Sequence, residues 1–138
     1  MKAMKSKFLI LIYSGGGNTP LGRNIVNQIR QAVPGEKIVH VRTMEALVQR
    51  CRRLPRDIDV AVLPVNSRNE LAGLCTLSGL LEKTKTLLIL PERNQALISK
   101  AWELKPIYID FSDSDFLDLS AVILNILKKH HDSLMKLM

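Results

Sequence analysis

A chain of 138 residues is long enough for one domain with a real core. Its apolar fraction of 46% and charged fraction of 24% are those of a globular protein, which excludes disordered and fibrous classes. The formal charge is +7, and no apolar run approaches the length of a membrane span, which excludes a transmembrane helix. In chain order, Lys2, Lys5 and Lys7 precede the first apolar run, "FLILIYS" (8–14). That run is short for a signal-peptide core and is followed by glycines, with no small-residue cleavage site. Leu21, Ile25, Ile29 and Val33 then recur at helical spacing, with Thr19 as N-cap and Pro20 at the first helical position. A second strand, "KIVHVRT" (37–43), alternates apolar and polar residues, and Met44, Leu47, Val48, Cys51 and Leu54 make a second helical stripe. The third strand is "DVAVLPV" (59–65), followed by a stripe of Leu71, Leu74, Leu77 and Leu81 interrupted by Gly73 and Gly79. The fourth is "KTLLILP" (85–91), followed by Leu97, Ala101 and Leu104. The fifth is "PIYIDFS" (106–112), before a long helix carrying Phe116, Leu119, Val122, Ile123, Ile126 and Leu127. Ser112 and Asp115 have the spacing of a capping box for that helix.

Strand and helix alternate five times without repeat, linker or low-complexity segment, so residues 1–138 read as a single α/β domain. Strands one, three and four are apolar on both faces and belong in the middle of a parallel sheet. Strands two and five carry polar residues and belong at its edges. The expectation is a three-layer, doubly wound sandwich whose five-stranded parallel sheet has the order 2-1-3-4-5, the flavodoxin or CheY-like receiver arrangement. Cys51 and Cys75 have no CxxC or metal-ligand spacing and sit in apolar helical contexts, so both read as buried free thiols in a reducing cytoplasm.

In such a sheet, ligands bind beyond the carboxyl ends of the strands. The loop after strand one reads "YSGGGNT", and its glycines allow consecutive N–H groups to converge on an anion at the start of the next helix. The candidate anion site is Ser14, Gly15, Gly16, Gly17, Asn18 and Thr19, helped by Arg68 and Arg93 from the loops after strands three and four. The stretch resembles the phosphate loop of flavodoxins, matching it at Ser14, Gly15, Gly17, Asn18 and Thr19. Gly16 replaces a hydroxyl residue, and Pro20 removes a backbone donor. That resemblance implies FMN, but the loops "VNSRNELAG" and "PERNQAL" offer no aromatic residue to a flavin ring. The competing reading is a tight turn alone, with no cofactor. The chain has no GxxxxGK[ST] loop, so a Walker-type nucleotide site is excluded.

Through length and element order, the whole chain resembles the receiver domains of response regulators. Receivers carry an acid pair after strand one, an acceptor Asp at the end of strand three, a hydroxyl residue after strand four and a Lys after strand five. Here the corresponding ends are Tyr13 and Ser14, then Pro64 within an acid-free third strand, then Pro91 and Glu92, then Asp110 and Phe111. The resemblance thus implies a pseudo-receiver that acts in signal transduction by protein–protein contact, not as an enzyme, and has no catalytic or metal-binding residues. His40 reads as a packed edge residue; His130 and His131 suit the end of the last helix.

All of the 20 basic residues except Arg23, Arg42, Arg68 and Arg93 fall at the amino end of the expected sheet, a face that nucleic acid or an acidic partner would favour. The aromatic content of 4%, with no binding motif, argues against nucleic acid. Trp102 lies off its helical stripe, one turn after Ile98 and close to strand five. Ile98, Trp102 and Tyr108 form a candidate interaction surface. Receivers often pair through this region, so the resemblance implies a protein partner here, another chain or a second copy as a homodimer; the alternative is that Trp102 lies over its own sheet edge.

Overall fold

The computed structural model describes residues 8–14, 20–53 and 57–136. The three doubly apolar runs form β1 (Leu9–Tyr13), β3 (Val60–Pro64) and β4 (Lys85–Leu90). Every residue of β1 and β3 is buried, and in β4 only Lys85 is exposed. The mixed runs form β2 (Lys37–Val41) and β5 (Tyr108–Phe111), which are half-buried over most of their length. All pairings are parallel and the sheet order is β2-β1-β3-β4-β5, as the patterning predicts. The edges are polar because only one side of an edge strand is shielded by a neighbour.

Side chains alternate across a strand, so each inner strand feeds two cores. Leu9, Leu11, Tyr13, Ala61, Leu63, Leu88 and Leu90 pack with α2 (Met44–Arg53), α3 (Arg68–Cys75) and α4 (Gln95–Ala101). Ile10, Ile12, Val60, Val62, Leu87 and Ile89 pack with α1 (Pro20–Ala32) and α5 (Leu117–Lys136). Each fully buried Leu or Ile contributes roughly 1.5–3 kcal/mol relative to exposure, so the sheet is held from both sides. Gly35 turns the chain from α1 into β2 with φ of 86°, a left-handed conformation that favours glycine.

Three local expectations are corrected. The Leu71–Leu81 stripe is not one helix: α3 ends at Cys75, where the Thr76 N–H and hydroxyl both donate to the Gly73 carbonyl, the hydroxyl at 2.6 Å. Turns then carry Leu77 and Leu81 into the same core. The Ser112–Asp115 capping box does not form, and α5 starts later. The Ser112 hydroxyl donates to the Pro91 carbonyl. Asp115 and Ser114 accept the N–H groups of Leu117 and Phe116, with Phe116 at a φ of 61°. Cys51 is buried but Cys75 is only half-buried. Both are free thiols, and burial pushes each above the ordinary thiol range. The proposed N-cap Thr19 and the stripe residue Leu54 lie outside the described residues. Among the described residues, no helix is long and apolar enough to cross a membrane.

Candidate functional site

Beyond the carboxyl ends of the strands, α1 leaves β1 on one face of the sheet and α3 leaves β3 on the other. This divergence opens the crevice in which ligands of open α/β sheets sit. Tyr13, the last residue of β1, is 2% exposed and its hydroxyl donates to Glu70 Oε2 at 2.8 Å. Glu70 Oε1 accepts the Asn66 N–H at 2.7 Å, and the N-cap Ser67 Oγ accepts the Glu70 N–H at 3.1 Å. One carboxylate in the first turn of α3 thereby ties the ends of β1 and β3 together. Burial first, then the Glu70 carboxylate as bond partner and charge, push the Tyr13 phenol far above its ordinary range.

Ser14 continues β1 by donating its N–H to the Val41 carbonyl at 3.0 Å. Its hydroxyl lies 2.6 Å from Nε2 of His40 on β2, and Ser14 is 3% exposed. Burial, followed by the nearby cations of Arg42 and Arg30, lowers the His40 pKa, so the ring is neutral at neutral pH. A neutral ring can accept the hydroxyl hydrogen at Nε2 or donate to the hydroxyl oxygen, according to tautomer.

On the other side of the crevice, Arg68 Nη2 reaches Asn94 Oδ1 at 3.5 Å, while that oxygen also caps α4 through the Leu97 N–H. Arg93 Nη1 pairs with Asp113 Oδ2 at 2.9 Å, and its guanidinium lies 4.4 Å above the Phe111 ring. The bond from Arg93 holds the Asp113 carboxyl below its usual range. Asp110, buried at the end of β5, accepts the Phe111 N–H at 2.8 Å and the Ser114 hydroxyl at 3.1 Å.

Of the expected anion site, Ser14 stands at the crevice, and Gly15, Gly16, Gly17, Asn18 and Thr19 lie outside the described residues. Arg68 is the first residue of α3, not part of the preceding loop, and Arg93 lies between β4 and α4. The observed partners of Arg93 lie toward β5, however, and β3 stands between β4 and β1. The expected interaction surface is divided. Trp102, in the 3-10 turn Trp102–Leu104, is 56% exposed. Ile98 is half-buried against the α2–α4 core, and Tyr108 is half-buried against the α1–α5 core. Ile98 and Tyr108 therefore sit on opposite faces of the sheet, so the three residues do not form one patch. Sequence reasoning missed the Tyr13–Glu70 brace. Its signal was present: Ser67-x-x-Glu70 has the capping-box spacing, with the Glu reaching the N–H before the cap. The Ser14–His40 contact depends on strand register and had no local signal.

No protein-family model matches the chain, and no curated protein matches it. Solved structures do. The signal receiver domain of an HD domain-containing protein from Pseudomonas fluorescens Pf-5 superposes with a TM-score of 0.65 at 14% identity, over 98% of this chain and 97% of that one. A CheY-like response regulator receiver domain protein from Methanospirillum hungatei JF-1 gives 0.70 at 12% identity, over 93% and 99%. A response regulator from Thermotoga maritima gives 0.65 at 11% identity, over 88% and 98%. At such identities the likeness is one of fold: the chain has the CheY-like receiver fold.

Proposed function

We propose that the chain is a receiver-like signalling domain that acts by protein contact and does not take up a phosphoryl group at the end of its third strand. The observation that carries this reading is the β3 terminus. Pro64 and Val65 are buried there, and the Val65 N–H is committed to the Ile89 carbonyl at 2.8 Å. An acyl phosphate needs a carboxylate nucleophile with a cation beside it. The first described carboxylate after β3, Glu70, spends both oxygens on Tyr13 and Asn66. Asp110 stands at the end of β5, where the resemblance implies a lysine. Acetyl phosphate with Mg²⁺ is expected to leave the intact mass unchanged; a phosphoryl adduct mapped to any strand-end residue refutes the reading. The partner we favour is a second copy, meeting around the exposed Trp102.

A second reading, an anion or nucleotide-phosphate site at Ser14–Thr19, is favoured by the position of Ser14 at the β1/β3 divergence. A thermal-shift screen of phosphates and nucleotides tests it. A rise abolished by Arg68→Ala supports the site, and no rise with any of them removes it.

A further inference from the structure

The opposite end of the sheet carries a cavity that neither reading uses. A parallel sheet with intervening helices returns each helix toward the amino ends of the strands. The 20 residues of α5 span about 30 Å at 1.5 Å per residue, whereas the longest strand, at 6 residues, covers about 20 Å. The last turns of α5 therefore overhang the sheet. Ile126, Lys129, His130 and Ser133, on one side of that helix, form the roof of a cavity of about 520 Å³. Phe8 before β1, Asp59 before β3, Lys83 in the turn before β4, Lys85 at its start, and Ile107 before β5 complete the lining.

The lining has two chemistries. Phe8, Ile107 and Ile126 are apolar, and the His130 ring stands 5.3 Å from the Phe8 ring at 60°. Ile107 is 47% exposed although it is a large apolar side chain. Lys83, Lys85 and Lys129 are exposed ammonium groups, set against the single carboxylate of Asp59. One oxygen of that carboxylate accepts the Leu9 N–H at 2.9 Å. Lysines that only keep a surface soluble do not need an apolar concavity beside them. The volume falls within the range of about 300–1,000 Å³ usual for small-molecule sites.

We propose that this cavity binds a small organic anion with an apolar body, an aromatic or short acyl group bearing a carboxylate, phosphate or sulfonate. Its body lies against Ile107 and Ile126, with Phe8, which is 2% exposed, contributing only an edge, and its charge faces Lys83, Lys85 and Lys129. The proposal is independent of the signalling assignment. Extended nucleic acid fits less well, because the cations surround a concave apolar wall and no aromatic face is presented for stacking.

The test is calorimetric titration of the full chain with phenyl phosphate, beside inorganic phosphate and benzyl alcohol. Phenyl phosphate is expected to bind at one site, about tenfold or more tighter than either control, since both chemistries contribute. Lys85→Ala and Lys129→Ala are each expected to weaken it about tenfold, the scale of one charge-assisted contact. Ile107→Ser is expected to weaken it while leaving inorganic phosphate unaffected. These three positions are exposed, so the variants keep the fold, and Lys83→Ala replaces either lysine variant whose melting temperature falls. Equal binding of phenyl and inorganic phosphate overturns the proposal, as does unchanged affinity in the lysine variants. So does a short DNA duplex that outcompetes phenyl phosphate and is released by the same substitutions.

Discussion

Tyr13→Phe isolates one hydrogen bond at the candidate site without changing the packing of the ring. The hydroxyl lies 2.8 Å from Glu70 Oε2, and the other Glu70 oxygen keeps its bond to the Asn66 N–H. A hydrogen bond to a charged group contributes about 1.5–3 kcal/mol when both partners are shielded. Glu70 is half-buried, so water replaces part of the loss, and the expected cost is about 1–1.5 kcal/mol. For a chain of this size, that is a fall of roughly 3–6 °C in melting temperature. Urea unfolding followed by circular dichroism reads it. A double-mutant cycle with Glu70→Ala is expected to show coupling of about 0.5 kcal/mol or more. The phenol pKa is raised in the folded state, so the native chain resists ionisation. Its contribution is complete below the unfolded tyrosine pKa near 10 and is lost as pH rises beyond it. Tyr13→Phe is therefore expected to flatten the alkaline decline in stability. A cost under about 0.3 kcal/mol with additive single variants refutes the brace, since a hydrogen bond made in solution cannot be removed so cheaply.

The His40 pKa is lowered by folding, so the unfolded chain binds the proton first. Stability is expected to be complete above the ordinary histidine value near 6.5 and to fall as pH drops through it, and His40→Gln should reduce that slope in urea midpoints measured across this range. At micromolar concentration the chain is expected to scatter light as a dimer and Trp102→Glu as a folded monomer. A monomeric unaltered chain refutes the self-association proposal, and because Trp102 is 56% exposed, unfolding of the variant would equally contradict its placement.

Strand order was legible because burial on two faces leaves a simple mark. "LILIY", "VAVLP" and "TLLIL" carry no side-chain polar group except the hydroxyls of Tyr13 and Thr86, while His40 and Asp110 mark the edges. Helix ends were less legible. The leucines at 71, 74, 77 and 81 are buried in one core, yet the helix ends at Cys75 and turns present the rest. Hydrophobic spacing reports which residues face the core, not whether the backbone between them stays helical. The site was least legible. Ser67 and Glu70 form a local pattern, but their engagement of Tyr13 spans 57 positions, and the Ser14–His40 contact spans 26. Such contacts are set by register and topology, which appear in the sequence only after the sheet has been assembled.

The two ends of the sheet differ in how their charges are used. At the carboxyl end, the carboxylates of Glu70, Asp110 and Asp113 each accept hydrogen bonds from their own chain, and Ser14 is engaged with His40. A receiver-like reaction centre would need such carboxylates turned toward a cation, so activating this end requires breaking bonds that hold β1, β3 and β5 in place. At the amino end, Lys83, Lys85 and Lys129 are exposed beside a cavity with apolar walls. An anion bound there would add contacts between the start of β4 and the last turns of α5, which otherwise project beyond the sheet.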